Sequence, residues 1–184
     1  ECFKEITEKA EIERVFAEAM KAKLVGVGIS EDAGNVLPLF AHESGYGRIS
    51  LAYDREKIYT IPADMEVNMD YLFGKLTELA KKVDAFALCN LKKYLSLISV
   101  EKEEHCFDPI LAAYLLNPLK NDYDFEDIAR EQLNLIIDEK ADEKTKSCYE
   151  AYTAFASVEI LKKKLNETKM KKLFDEIEMP LLFT

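Results

Sequence analysis

The spacing of apolar residues divides the first part of the chain into one helix and a group of strands. Over residues 10–22 apolar side chains recur at helical intervals and form one stripe, which predicts an amphipathic helix. Four short apolar runs follow, bounded by Gly, Asn, Asp and Ser residues: LVGVGIS at 24–30, VLPLF at 36–40, GRISLAYD at 47–54 and KIYTIP at 57–62. These runs predict a strand meander.

The second part of the chain alternates between helical and strand patterns. The patterns predict a helix at 68–83, a strand at 85–89, a helix from about residue 91, a strand that ends at Phe107, and helices after it. Antiparallel strands followed by strands that alternate with helices are typical of an α/β fold. We therefore expect a mixed β-sheet flanked by α-helices rather than a helical bundle.

The stretch FDPILAAYLLNP at 107–118 places a carboxylate directly before an apolar helix. Asp is a strong N-cap and Pro is favoured at the first helical position, so Asp108 and Pro109 predict a helix start. Asp124 is the corresponding cap of the next predicted helix. Capping alone accounts for Asp108, and no catalytic role is needed.

Composition and charge narrow the possible partners. The 184 residues carry a formal net charge of -10, and an acidic surface disfavours tight nonspecific binding of nucleic acid. Local lysine groups are the exception; they are Lys92-Lys93, Lys162-Lys163-Lys164, Lys169 and Lys171-Lys172. Such runs on a helix are most often a solvated face.

Neither a membrane nor an oxidising compartment is indicated by the sequence. No apolar run approaches the roughly 20 residues of a membrane helix, and charges interrupt the N-terminal stretch where a signal peptide would be apolar. The four cysteines show no Cys-x-x-Cys spacing, so we expect buried reduced thiols rather than disulfides or a zinc site. A cytoplasmic location is the expectation.

Four segments, in this order, resemble landmarks of the 3′ to 5′ exonuclease domain of bacterial DNA polymerase I. They are CNLKKY at 89–94, FDPILAAYLLNP at 107–118, DFEDIAREQL at 124–133 and IEMPL at 177–181. The resemblance implies a ribonuclease H-like, DnaQ-type fold. It also implies an exonuclease-like domain at 1–176 and the truncated start of a polymerase domain at 177–184. The parent chain would be a DNA-directed DNA polymerase of replication and repair.

Active members of that family hold two divalent metal ions with converging carboxylates, and this sequence departs from their pattern at each position. Gly28 and Ser30 stand where the family has an Asp-x-Glu pair at the end of the first strand. Tyr94 stands where an Asp follows Asn-Leu-Lys, and Ala156 stands in the place of the last Asp, or Phe155 if the alignment is shifted by one. Neutral side chains cannot hold two hard cations together, so we expect no catalytic residues, no metal site and no cofactor.

Other acids and histidines near these positions have simpler interpretations. Glu31 and Asp32 belong to a turn pattern, and Glu159 is expected on a solvent-facing helix surface. An exposed connection accounts for a further polar cluster, consisting of Glu101, Glu103, Glu104 and His105. His42 has no partner pattern.

The sequence therefore favours a catalytically inactive exonuclease-like domain that acts as a structural module. Its expected partner is the polymerase domain of the same parent chain, with DNA contacted through the parent protein and weakly or not at all by this domain alone. One alternative is a nucleic-acid or protein binding module that uses Lys92, Lys93 and the lysines at 162–172. The other is an active metal-dependent nuclease that uses shifted carboxylates.

Overall fold

A computed structural model describes residues 2–31 and 45–184. The strands are β1 Phe3–Glu5, β2 Leu24–Ser30, β3 Arg48–Ala52, β4 Ile58–Pro62, β5 Ala85–Leu88 and β6 Cys106–Phe107. The helices are α1 Lys9–Ala19, α2 Met69–Lys82, α3 Pro109–Leu116, α4 Phe125–Leu133 and α5 Glu143–Glu167, followed by α6 Lys171–Leu173, a π-helical segment Phe174–Glu178 and α7 Met179–Leu181. The predicted strand at 36–40, Asp32 and His42 lie outside the described residues.

The described strands form one six-stranded mixed sheet in the order β1-β4-β3-β2-β5-β6. β2, β3 and β4 are antiparallel neighbours, as the predicted meander requires. β1 pairs with β4, β2 with β5, and β5 with β6 in parallel. The predicted fold class, a mixed sheet flanked by helices, is confirmed.

Helices cover both faces of this sheet. Side chains alternate between the faces along β2, so Val25, Val27 and Ile29 point away from Gly26 and Gly28. α5 lies against the glycine side of β2 and also contacts β3, α3 and α4. The apolar stripe of α1, formed by Ile12, Val15, Phe16 and Ala19, is fully buried in the main core. No helix among residues 2–31 and 45–184 combines the length and apolar character that crossing a membrane requires.

The structure corrects the predictions in two places. Phe3–Glu5, which has no strand pattern of its own, forms the edge strand β1 because it pairs with β4. The helix predicted from about residue 91 is only a 3₁₀ turn, Leu91–Tyr94. Asn90 enters this turn in the left-handed conformation (φ 58°), and its N–H donates to the Asp108 carboxylate, so the start of the turn is fixed by a tertiary contact.

Backbone-to-backbone contact fixes α5 on β2. A Cβ atom added at Gly26 would lie 2.2 Å from the carbonyl oxygen of Ala151, and one added at Gly28 would lie 2.3 Å from the carbonyl oxygen of Ser147. Both distances are far below van der Waals contact, and the obstructing atoms are main-chain atoms that cannot rotate away. Only glycine fits at these two positions with the helix in this place.

We predict that Gly28→Ala destabilises the fold by at least about 2 kcal/mol, because overpacking against a rigid backbone forces α5 off the sheet. Gly74→Ala is the matched control, since Gly74 lies within α2 and a Cβ added there meets nothing within 4 Å. That substitution should stabilise the protein by roughly 0.5–1 kcal/mol through helix propensity. Urea unfolding measures both changes, and equal effects of the two substitutions would contradict the close contact at Gly28.

Candidate functional site

The parallel strands β2 and β5 bring three of the sequence-predicted positions to the same edge of the sheet. Gly28 and Ser30 lie in the carboxyl-terminal half of β2, and Tyr94 lies in the turn that follows β5. Carboxyl ends of neighbouring parallel strands meet at one sheet edge, where α/β proteins commonly bind ligands. This edge of the sheet is therefore the candidate functional site.

α5 closes the part of this edge that lies over β2. Ser147 and Ala151 of α5 face Gly28, at the position from which a carboxylate on β2 would have to project. Ser30 is buried, and its hydroxyl has no hydrogen-bond partner among the described residues. Helix backbone thus occupies the space that an acidic side chain at position 28 would need.

Ala156 does not lie with the other three positions. Gly26 faces Ala151 and Phe155, so α5 proceeds from Gly28 towards the beginning of β2. Since each helical residue rises about 1.5 Å, Ala156 lies about 13 Å further along the axis of α5 than Ser147. The shifted alternative, Phe155, also packs beside Gly26 rather than beside Gly28.

Glu150 is the carboxylate that α5 places near Tyr94, and the sequence analysis missed it. Burial of Glu150, together with repulsion from Glu126, raises its pKa to about 8, while the Lys93 ammonium opposes the shift. Burial also raises the pKa of the Tyr94 phenol, and the Glu150 charge adds to that effect. The sequence-based assignment took Tyr152 as its reference and looked four residues ahead. A search for any acid on the side of α5 that faces Gly28 would have found Glu150.

Glu126, in the first turn of α4, is the second carboxylate of this region. Burial and the neighbouring Asp124 raise the pKa of Glu126, and Lys146 partly offsets the rise. Among the described residues, no group of three or more His, Cys, Asp or Glu side chains could hold a metal ion. Glu126 and Glu150 are two carboxylates, fewer than the several that a pair of hard divalent cations requires.

The other acids proposed from sequence lie on the surface, as predicted. Glu159 is exposed on α5, and Glu31 is exposed directly after β2. Glu101 forms an ion pair with Lys81 at 2.8 Å. His105 places Nδ1 2.8 Å from the carbonyl oxygen of Val83, which fixes the ring to the backbone of a connection.

Most lysines of the 162–172 group belong to solvated helix faces, as expected from their pattern. Lys163 pairs with Glu167 one turn ahead, and Lys171 pairs with Asp175 in the same way. Such exposed pairs contribute only a few tenths of a kcal/mol. They leave this surface less cationic than its lysine count suggests.

Asp108 has a structural role that goes beyond the predicted helix cap. Its carboxylate accepts a hydrogen bond from the N–H of Ile110 at 2.9 Å, which caps α3, and from the N–H groups of Asn90 and Leu91 at 3.1 Å each. Burial raises the pKa of Asp108 to about 6, although these three donors favour the charged form. The side chain therefore joins the turn after β5 to the start of α3.

We predict that Asp108→Ala lowers the free energy of unfolding by about 2–4 kcal/mol, because it leaves buried N–H groups without an acceptor. Asp142→Ala is the matched control, since the exposed Asp142 caps α5 through a single bond to the N–H of Thr145 at 2.8 Å. Loss of that cap should cost about 1 kcal/mol. Chemical unfolding distinguishes the two, and a loss at Asp108 no larger than the control would exclude its bridging role.

Glu150 should make the protein less stable as pH rises. Because its folded pKa is about 8 and its ordinary value is 4.5, the folded state holds a proton that the unfolded chain releases between these values. Stability therefore falls as pH rises through this window, and Glu150→Gln should remove that loss. We expect the variant to be more stable than the wild type by about 1–3 kcal/mol near pH 8 and equal to it near pH 4.

Thermal unfolding across this pH range measures the effect. Glu159→Gln is the control, because Glu159 is exposed on the same helix and should show no such pH-dependent gain. A constant difference between Glu150→Gln and the wild type at all pH values would contradict the raised pKa of Glu150.

Solved structures share this fold over nearly the whole chain. The POL domain of Pol1 from M. smegmatis, in complex with DNA primer-template and dNTP, superposes with a TM-score of 0.70 at 16% identity and covers 98% of this chain and 31% of that one. The catalytic core of RRP6 from Trypanosoma brucei gives a TM-score of 0.73 at 12% identity, covering 99% of this chain and 52% of that one. Brucella melitensis NrnC bound to pGG gives a TM-score of 0.65 at 11% identity, covering 98% of this chain and 88% of that one.

These structural similarities concern the fold alone, because all three sequence identities are low. The chain spans about a third of the Pol1 chain and about half of the RRP6 chain. No protein-family model matches the chain, and no curated protein matches it in sequence. With its mixed sheet, its flanking helices and these neighbours, the chain has the ribonuclease H-like fold of DnaQ-type 3′ to 5′ exonucleases.

Proposed function

We propose that this chain is a catalytically inactive 3′ to 5′ exonuclease-like domain that serves as a structural module of a DNA polymerase I. The observation that carries the proposal is the contact between α5 and β2, in which the Ser147 carbonyl oxygen would lie 2.3 Å from a Cβ atom at Gly28. A carboxylate at this position is incompatible with the observed position of α5.

The remaining carboxylates at this edge cannot replace the missing ones. Hydrolysis by two metal ions requires several ionised carboxylates that converge on cations roughly 4 Å apart. Here Glu126 and Glu150 lie together, but the described residues contain no group of three or more acids, histidines or cysteines that could bind a metal ion. The Lys93 ammonium beside Glu150 also disfavours a cation there. Tyr94, the residue at the third family position, is buried and neutral.

The residues that stand in place of the family's carboxylates are consistent with a structural role. Several carboxylates held together without cations would repel one another and destabilise the folded state. Glycines at positions 26 and 28 instead allow a helix to pack on the sheet, and the sheet-facing residues Ala151 and Ala154 are fully buried. The glycine side of β2 is thereby covered by the backbone of α5.

The proposed partner is the polymerase part of the same parent chain. In this proposal residues 1–176 form the exonuclease-like domain and 177–184 begin the polymerase domain. Met179 is buried against the domain, whereas Ile177 and Leu181 remain 50% and 53% exposed and offer an apolar surface for an adjoining domain. The parent protein would be bacterial and cytoplasmic, and it would contact DNA mainly outside this domain.

Calorimetric titration of manganese, with degradation of single-stranded DNA followed in parallel, tests the proposal. We expect neither stoichiometric binding of two ions nor metal-dependent cleavage, because the required carboxylates do not converge. The double variant Glu126→Gln/Glu150→Gln is the control: any weak heat from scattered surface acids should be the same in both proteins. Cleavage, or a manganese signal that disappears in the double variant, would overturn the assignment.

A further inference from the structure

A cleft at the amino-terminal ends of β5 and β6 lies at the opposite end of these strands from the candidate functional site. It has a volume of about 510 Å³, within the range of pockets that bind small molecules. One side consists of the residues that precede the two strands, and the other consists of parts of α5 and of the C-terminal segment 171–183. Because β5 and β6 are parallel, with Phe86 opposite Cys106, the residues before both strands meet at this edge of the sheet.

Three carboxylates form an acidic rim on the strand side of the cleft: Asp84, Glu103 and Glu104. All three residues are exposed, and none forms an ion pair within the described part of the chain. The neighbouring Glu101 differs, since its carboxylate lies 2.8 Å from the Lys81 ammonium. The acidic rim is therefore available to a cationic ligand.

The charge of the acidic rim acts on the wall of the cleft, and the rim is fixed in position. Burial raises the pKa of the Cys106 thiol to about 12, and the charges of Glu103 and Glu104 add to that rise. Nδ1 of His105 lies 2.8 Å from the carbonyl oxygen of Val83, which ties the turn Glu103–His105 to the residues before β5. A cleft lined by one sign of charge concentrates ions of the opposite sign, so this cleft favours a cation.

Two lysines on the opposite side of the cleft do not cancel the acidic rim. Lys171 is neutralised by Asp175, which lies one helical turn ahead. The Lys162 ammonium lies 5.7 Å from the ring centroid of Phe107 and has no acidic partner within residues 2–31 and 45–184. Three unpaired carboxylates thus face one unpaired lysine, and the cleft has a net negative charge.

Phe174, Met179 and Phe183 form an apolar wall on the side of the C-terminal segment. Phe174 and Met179 are buried, and Phe183 is partly buried. The Phe174 ring also packs on Phe107, with ring centroids 5.1 Å apart, so this wall is held against β6. A ligand with an apolar body and a positive charge at one end matches both the wall and the rim, whereas a hydrated inorganic cation matches the rim alone.

We propose that this cleft binds a small organic cation, with its apolar body on the apolar wall and its ammonium group at the acidic rim. An ammonium group is attracted both to carboxylates and to the faces of aromatic rings. Because the carboxylates of the rim are exposed, salt screens their attraction and should weaken binding. This inference goes beyond the proposed structural role and does not depend on it.

Titration of the ¹⁵N-labelled chain at low salt and neutral pH tests the proposal. The probes are phenethylamine, phenethyl alcohol and hydrocinnamate, which share a phenyl ring and a short linker but differ in charge. We expect phenethylamine to shift the amide signals of Glu104, Cys106 and Phe183. The neutral alcohol should bind several-fold more weakly, and the anionic hydrocinnamate more weakly still, because only the amine has a charge opposite to that of the rim. Added salt should weaken binding of the amine and leave binding of the alcohol unchanged.

Paired variants assign the two contacts. Glu104→Gln should weaken binding of phenethylamine about two- to fivefold and leave binding of the alcohol unchanged, whereas Glu159→Gln, at an exposed acid outside the cleft, should change neither. Phe183→Ala should weaken binding of both probes roughly five- to tenfold, because both place a phenyl ring on the apolar wall. Leu181→Ala is its control, since Leu181 is 53% exposed and does not line the cleft.

The proposal is overturned if phenethylamine shifts none of these amides at millimolar concentration, or if hydrocinnamate binds as tightly as the amine. Binding of a short peptide of alternating Lys and Phe without binding of the amine would also reject a small ligand, in favour of a protein partner. Glu104→Gln alters an exposed side chain, so its result stands even if circular dichroism shows that Phe183→Ala disturbs the fold. The proposed structural function fails on a different result, metal-dependent cleavage, so the two ideas can be rejected separately.

Discussion

The contact between the backbone of α5 and the backbone of β2 determines the position of most other groups on this side of the sheet. Once the helix lies on Gly26 and Gly28, it continues over β3 and β4, where polar side chains need partners. The hydroxyl oxygens of Ser50 and Ser147 lie 2.8 Å apart, and Ser50 donates to the Thr60 hydroxyl at 2.9 Å. Buried polar groups are costly when they are unpaired, so this pairing and the close approach of the helix depend on each other.

The same helix position explains the electrostatics of the edge. α5 brings Glu150 close to Tyr94 and to Glu126 of α4, where partial burial disfavours the charged form of the carboxyl group. A carboxyl group in such surroundings can be neutralised by a divalent cation, by a lysine or by a proton. Glu150 has a pKa of about 8 and Lys93 as a neighbour, so a proton and a lysine offset its charge. An acid can therefore lie at this edge with its charge offset by Lys93 or by a proton.

Local patterns predict the meander, α2 and β5, because these elements have the regular spacing of side chains that burial on one or two faces imposes. They do not predict β1, which is a strand only because β4 lies beside it. The turn at Leu91–Tyr94 is likewise set from a distance, by the carboxylate of Asp108. Motif spacing also pointed to Ala156, whereas the register of α5 on the sheet places Glu150 near the edge. That register depends on which residues of α5 fit over Gly26 and Gly28, and the spacing of motif residues along the sequence does not contain this information.

A groove beside α3, lined by Asn90, Tyr114 and Leu182 among others, is built from parts of the sheet other than the strand that α5 covers. Its walls depend on the ends of β5 and β6, which Asp108 ties together, and not on the strand that α5 covers. The C-terminal segment supports the same side: Phe174 packs on Phe107 of the edge strand β6, with ring centroids 5.1 Å apart, and Leu182 reaches the groove. The groove thus depends on Asp108 and on the C-terminal segment, whereas the glycine side of β2 depends on the position of α5.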